Sequence, residues 1–343
     1  METATGRLAH ELSGHRAPVF TACFSGTALV TGDSAGVVRV WDLGSGQMKE
    51  TLGEHRGSVF RAALSPDGRL LATCDEAGTV RLWDTATWTQ LHALTGHLGS
   101  VYCVAFSPDG SLLASGDTKG AVRLWSPSGE SRGVHTTHAA AVYQVTFSPD
   151  GQVLASGDAN GVVRLQPVGG GQRVELTGHR SSVWPFAYSP DGQQLATSSN
   201  DGTVRLWDPA TGHSQRVLRG HGRRISSVRF SADGTMLATS GNDGIVRVWE
   251  PRTGRRLREF TGTSDRLISA SFSPPARRWP PPATTAACTS GTPPPATTSA
   301  SCTPRPTTCG PRRSAPTARR WPRPTTTTAY ASGTARPGGW WST

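Results

Sequence analysis

Six histidines recur at a regular interval along this chain. Each is followed by a hydroxyl residue and then by a tryptophan or its replacement. His15, His55, His97, His138, His179 and His221 lead to Thr31, Thr73, Ser115, Ser156, Thr197 and Thr239. In two sets an aspartate, Asp201 or Asp243, stands between the hydroxyl and the next Trp. Hydroxyl, imidazole and carboxylate are the parts of a Ser-His-Asp nucleophile, in which the base takes the hydroxyl proton and the acid orients the base. Repetition argues against that chemistry, because a catalytic constellation is needed once, at one cavity, and not in every unit. The simpler reading is a set of buried polar groups that satisfy one another and fix the register of the strands carrying them.

The elements that hold these residues follow the same period. Trp41, Trp83, Trp125, Gln166, Trp207 and Trp249 are spaced by 41 or 42 residues. Each of these five intervals contains an Asp-Gly pair (Asp67-Gly68, Asp109-Gly110, Asp150-Gly151, Asp191-Gly192, Asp233-Gly234), which the shorter first unit lacks. Gly accepts positive φ without a Cβ clash, so Asp-Gly between alternating apolar runs predicts a tight hairpin. Val80-Arg81-Leu82-Trp83 shows the period-two alternation of a strand. With 40 Gly, 11 Trp and only 3 Met, the composition suits many short strands better than helices. The chain is a repeat array.

Composition also removes several function classes. No run approaches the length of a membrane-spanning helix. The first residues lack the apolar core of a secretion signal, which leaves a cytoplasmic address as the default. The net charge of +11 is unevenly placed. From Pro274 onward there is no Asp, Glu or Lys, and nine Arg; removing those nine from 35 basic residues leaves 26 against 24 acids. Residues 1–273 are therefore almost neutral, and charge gives no reason to expect a nucleic acid or a membrane as partner. Cys23, Cys74 and Cys103 fall singly within strands, and no pair has metal-ligand spacing, so no metal and no cofactor is expected.

Gly-His pairs (Gly96-His97, Gly178-His179, Gly220-His221) lead to Trp-Asp pairs (Trp41-Asp42, Trp83-Asp84, Trp207-Asp208). Residues 1–272 thus resemble the WD-repeat (WD40) family, in its bacterial form. The resemblance implies an all-β fold, a WD40-type β-propeller on a seven-bladed plan with the last blade defective and six complete repeats. Each unit would supply the outer strand of one blade and three inner strands of the next. It also implies a buried network of the His, a Ser/Thr ten residues before the Trp, an Asp six before it, and the indole. That set is complete in His179, Thr197, Asp201 and Trp207, and in His221, Thr239, Asp243 and Trp249. Units one to four have Ala35, Ala77, Lys119 and Asn160 at the Asp position. They are expected to lack part of the network, leaving the blades of units five and six the most rigid. Unit four, with Gln166-Pro167 for Trp-Asp, is expected to make the loosest blade.

Members of this family bind proteins or peptides on the face bearing the loop before each innermost strand. Five residues after each His, near the central opening, stand Phe20, Phe60, Tyr102, Tyr143, Trp184 and Ser226. Aromatic side chains there form either a recognition surface or ordinary packing between innermost strands. Asp33, Asp75, Asp117 and Asp158, eight residues before the Trp position, form either an acidic arc for a basic peptide or turn-stabilising carboxylates. Arg16, Arg56, Arg180, Arg223 and Arg224 lie on the same side, so the partner's charge stays open. An Arg two residues before each Trp position (Arg39, Arg81, Arg123, Arg164, Arg205, Arg247) predicts a packed stem with a wet guanidinium.

Residues 274–343 hold fifteen of the 25 prolines and no strand pattern, which predicts a low-complexity, disordered tail. The period survives in it: Arg277-Arg278-Trp279-Pro280 recurs at 319–322, and Ser290-Gly291-Thr292 at 332–334. GC-rich codons for Ser-Gly-Thr read one nucleotide earlier can give Leu-Trp-Asp, so the tail reads as the same repeat out of frame. A seventh unit would keep its innermost strand near 267–272 and leave an outer strand near 7–12 without a neighbour. Met1-Glu2-Thr3-Ala4-Thr5-Gly6 aligns with Trp207-Asp208-Pro209-Ala210-Thr211-Gly212, so the chain is expected to be a piece of a longer array. The expected function is a non-catalytic scaffold that holds a protein or peptide. The alternative is the separated sensor part of a kinase, NTPase or nuclease.

Overall fold

The computed structural model describes residues 10–53, 55–261, 267, 269–272 and 286–288. All belong to the first of the chain's two units, Met1–Gly291. Blade one comprises β1 (Val19–Ser25), β2 (Ala28–Asp33), β3 (Val38–Asp42) and β4 (Met48–Leu52). Blade two comprises β5 (Val59–Leu64), β6 (Leu70–Asp75), β7 (Val80–Asp84) and β8 (Gln90–Leu94), and blade three β9 (Val101–Phe106), β10 (Leu113–Asp117), β11 (Ala121–Trp125) and β12 (Ser131–Thr137). Blade four is β13 (Val142–Phe147), β14 (Val153–Asp158), β15 (Val163–Pro167) and β16 (Val174–Leu176). Blade five is β17 (Val183–Tyr188), β18 (Leu195–Ser199), β19 (Thr203–Trp207) and β20 (Ser214–Arg219). Blade six is β21 (Ile225–Phe230), β22 (Leu237–Gly241), β23 (Ile245–Glu250) and β24 (Arg255–Thr261). Each is an antiparallel meander of four strands in chain order, so the fold is an all-β propeller with six complete blades.

The Asp-Gly turns do what their residue types require. Ser65 Oγ donates to Asp67, and Asp67 Oδ1 accepts from the Arg69 N–H at 3.0 Å, while Gly68 sits at φ 72°. The same arrangement recurs at Asp109, Asp150, Asp191 and Asp233. These turns join each innermost strand to the second strand. The His-bearing loops and the turns between second and third strands therefore lie at the other end of the blades.

The apolar core lies between blades, because a four-stranded sheet has two faces and each neighbour covers one. Val38, Val40 and Leu52 of blade one pack with Val59, Leu71 and Trp83 of blade two, and the pattern repeats down the array. Full burial of each such side chain contributes roughly 1.5–3 kcal/mol. Side chains also stitch neighbouring innermost strands. Ala62 N–H donates to Thr21 Oγ1 at 3.0 Å, and Gln144 Nε2 donates to Phe186 O at 2.7 Å.

Two features depart from this regularity. At the seam of blades three and four, the outer-strand Leu of other blades is replaced by Thr136, and the Trp by Gln166. Thr136 Oγ1 is buried there without a hydrogen bond, and β16 is only three residues long. In blade two, Trp88 occupies a turn position held by Gly46, Gly212 and Gly254 elsewhere, at φ 57°, and its indole joins the core of blades one and two. Apolar burial offsets a backbone conformation that costs an L-residue about 1 kcal/mol.

The seventh blade is represented by β25 (Ala270–Phe272), paired with β26 (Ala286–Cys288). Leu267 and Ala270 pack on Val246 of blade six. The three-residue β26 corrects the expectation that nothing beyond Pro274 forms a strand; a bare β25 edge offers unpaired backbone groups to any extended neighbour. Residues 10–12 form no strand, which corrects part of the expected outer strand near 7–12; 1–9 lie outside the described residues. So do residues 289–343, on which the expectations of disorder and an altered reading frame fall. Apolar side chains are more exposed at both ends of the described array. Leu29 is partly exposed, whereas its equivalents Leu71, Leu113, Leu195 and Leu237 are each 0 % exposed against the preceding blade. Phe24 is 70 % exposed, and Phe260, whose equivalents Leu52, Leu94 and Leu218 are at most 4 % exposed, reaches 37 %.

Candidate docking site at the mouth of the propeller

The repeated polar set is a buried network, and its geometry corrects the sequence reading. The Trp indole N–H donates to the Ser/Thr hydroxyl at 2.7–2.9 Å in blades one, two, three, five and six. The hydroxyl in turn lies 2.6–2.8 Å from His Nε2 in all six. In blades five and six His Nδ1 meets Asp201 and Asp243, as the spacing predicted. In blades one to four it meets Asp33, Asp75, Asp117 and Asp158, at 2.6, 2.9, 2.7 and 3.0 Å. No blade lacks its carboxylate, which removes the ground for ranking blades five and six as most rigid. The replacement is geometric. A carboxylate at the start of the turn also accepts N–H groups of that turn: Asp117 Oδ1 accepts from Lys119 and Ala121, both at 2.9 Å. The four acids are thus spent on imidazoles and turns, and the acidic-arc reading falls.

Two of the recurring arginines join the network instead of staying wet. Arg81 donates to Asp75, and Arg247 Nη1 donates to Asp243 at 2.6 Å; both side chains are buried. Arg205 instead lies over the Trp207 ring and donates to Gly178 O at 2.8 Å. At Gly178, with φ 140°, a Cβ would fall 2.8 Å from that guanidinium. Burial, with help from Arg81, pushes His55 below the usual imidazole range, and burial does the same to His97 and His221. Burial alone would raise Asp75, but hydrogen bonds from His55 and the Thr79 N–H outweigh it and hold the carboxylate ionised. A neutral imidazole donating from Nδ1 and accepting at Nε2 completes the chain.

The six positions five residues after the histidines share a backbone device that sequence reading missed. Phe20, Phe60, Tyr143 and Ser226 each sit where the innermost strand slips register against its neighbour, and so do Tyr102 and Trp184. A bulge inserts an unpaired residue and re-aims its side chain. Here it turns one ring toward the mouth in each of blades one to five. Phe20 and Phe60 stack at 6.1 Å, Phe60 and Tyr102 meet edge to face at 4.7 Å, and Tyr102 and Tyr143 stack at 5.7 Å. Such pairs contribute about 0.5–1.5 kcal/mol each beyond area burial. Four rings from four consecutive blades make one continuous arc. Trp184 stands apart from the stack, its ring covered by the Arg224 guanidinium at 4.9 Å. Phe20 is 52 % exposed, and the other rings are half-buried. Burial raises both tyrosines above the usual phenol range, so they remain neutral donors.

Among the described residues no cluster has metal-ligand geometry, and no helix is long and apolar enough to cross a membrane. The family described as IFT122 first beta-propeller matches residues 18–276, more than half the chain. A curated relative, Ribosome assembly protein 4 of Chaetomium thermophilum, is 41 % identical over 69 residues, 19 % of this chain. That alignment spans 13 % of the relative's own length. Six four-stranded blades, a repeating Trp–hydroxyl–His–Asp network and that family match agree: the chain belongs to the WD-repeat β-propellers of the IFT122 first beta-propeller family.

Proposed function

We propose that this propeller is a non-catalytic scaffold that holds a protein or peptide against the mouth where the histidine loops lie. The observation that carries the reading is the continuous arc of Phe20, Phe60, Tyr102 and Tyr143, aimed by bulges and left accessible. Rings give large contact area at low entropic cost, and phenols add a directional hydrogen bond. The hydroxyls that could have served as nucleophiles support the non-catalytic part. Thr73, Ser115, Thr197 and Thr239 are 0 % exposed and lie between an indole and an imidazole, where no substrate atom can approach.

The test is affinity capture with the full chain and with Phe60→Ala plus Tyr102→Ala, the fold of each checked by circular dichroism. The double variant is expected to lose the specific partners of the wild type, while Arg69→Ala at the opposite end keeps them. Identical partner sets for all three proteins would sink the reading.

A further inference from the structure

Among the described residues the mouth carries more exposed cations than exposed acids. At the mouth the described exposed cations are Arg16, Arg56, Lys119, Arg180 and Arg223, with the Arg224 guanidinium over Trp184. The carboxylates of that end are spent: Asp33, Asp75, Asp117 and Asp158 are buried on imidazoles, and Asp201 and Asp243 are bound by His179, His221 and Arg247. Glu11 and Glu76 are the exposed acids left among the described residues of these loops, and Glu76 also accepts from the Ser58 N–H.

The opposite end carries more acids, set among the exposed Arg69, Arg132, Arg173, Arg252 and Arg255. Asp67, Asp109, Asp150, Asp191 and Asp233 stand exposed in the innermost turns. Asp42, Asp84 and Asp208 stand in the outer ones. Hydrogen bonds from turn hydroxyls and N–H groups hold Asp67 and Asp150 below the usual carboxylate range, and Asp109 down to about 2. These acids are fully charged at neutral pH. An acidic molecule is therefore attracted more by the aromatic end than by the turn end, so charge favours the same end as the rings.

We propose that the mouth binds an acidic protein segment carrying aromatic or large aliphatic side chains. The carboxylates meet the Arg56, Arg180 and Arg223 rim while an apolar side chain lies on Phe60 and Tyr102. This deepens the scaffold reading and rests on it. The exposed Leu98, between the Phe60 and Tyr102 strands, extends the apolar part of the surface. A nucleic acid has charge but no comparable side chains for this arc, and its bases would need to be splayed out to reach the rings.

The experiment uses fluorescence anisotropy of the full chain with three labelled probes: a random Glu/Tyr copolymer, a random Lys/Tyr copolymer and oligo-dT. The Glu/Tyr polymer is expected to bind and the Lys/Tyr polymer to bind at least ten-fold more weakly. Raising NaCl from about 50 mM to about 500 mM, which cuts the screening length to a few ångström, should loosen the complex on the order of ten-fold. Arg56→Glu with Arg180→Glu and Arg223→Glu should weaken it similarly with an unchanged melting temperature. Stronger binding of the Lys/Tyr polymer, abolished by Phe60→Ala plus Tyr102→Ala, would overturn the charge assignment and keep the docking site. Oligo-dT binding as tightly as the Glu/Tyr polymer would overturn the choice of a protein segment. Failure of all three probes to bind the wild type would overturn both proposals.

Discussion

An imidazole that needs a carboxylate at Nδ1 finds it here at either of two places in a short turn. The acid stands eight residues before the Trp position in blades one to four and six before it in blades five and six. Spacing along the chain separates those two positions; in space their carboxylates reach the same atom. Sequence therefore revealed the His, the hydroxyl and the indole, whose spacing is fixed by strand pairing. It did not reveal the acid, whose position depends on how a turn folds back. Asp75→Ala should cost about 3 kcal/mol, because a buried imidazole N–H and the Arg81 guanidinium lose their acceptor. Asp75→Ser combined with Ala77→Asp transplants the arrangement of blade five and should recover most of that loss. Urea denaturation of the three proteins checks both; a double variant no more stable than Asp75→Ala would show that the two positions are not equivalent.

Blades show the same division between what pairing dictates and what local geometry adds. Their number, order and Trp-bearing third strands were legible because alternation and a constant period leave one way to bury both faces of a sheet. The bulges were not, since they exist only relative to a partner strand, and they decide where Phe60 and Tyr102 point. The polar seam of blades three and four was half visible: Gln166 announced it, but its counterpart Thr136 lies on the outer strand of the previous blade. There Ser156 accepts no indole and a buried hydroxyl goes unpaired. Thr136→Leu with Gln166→Trp should raise stability by about 1–3 kcal/mol, restoring apolar contact and an indole donor. An unchanged or lower urea midpoint would mean that Val168, which packs against this core, already fills the seam.

At the scale of the molecule, neutral histidines set how the array responds to acid. His55, His97 and His221 hold fewer protons folded than unfolded, because their folded values lie below the ordinary imidazole pKa. Stability then rises with pH through the imidazole range and is lost as pH falls below about 6.5. The lowered values of Asp75 and Asp243 act in the same direction at still lower pH. Urea midpoints at pH 8, 6.5 and 5.5 should therefore fall in that order, and a flat profile would contradict buried, neutral imidazoles. The uncovered surfaces of blades one and six, around Leu29, Phe24 and Phe260, carry a different consequence. In a closed circle every wedge is gripped from both sides, so none can leave before the rest. Among the described residues the first wedge packs on blade two, and its other face carries the partly exposed Leu29. Blade one is therefore expected to loosen before blades two to five, with its backbone amides exchanging first.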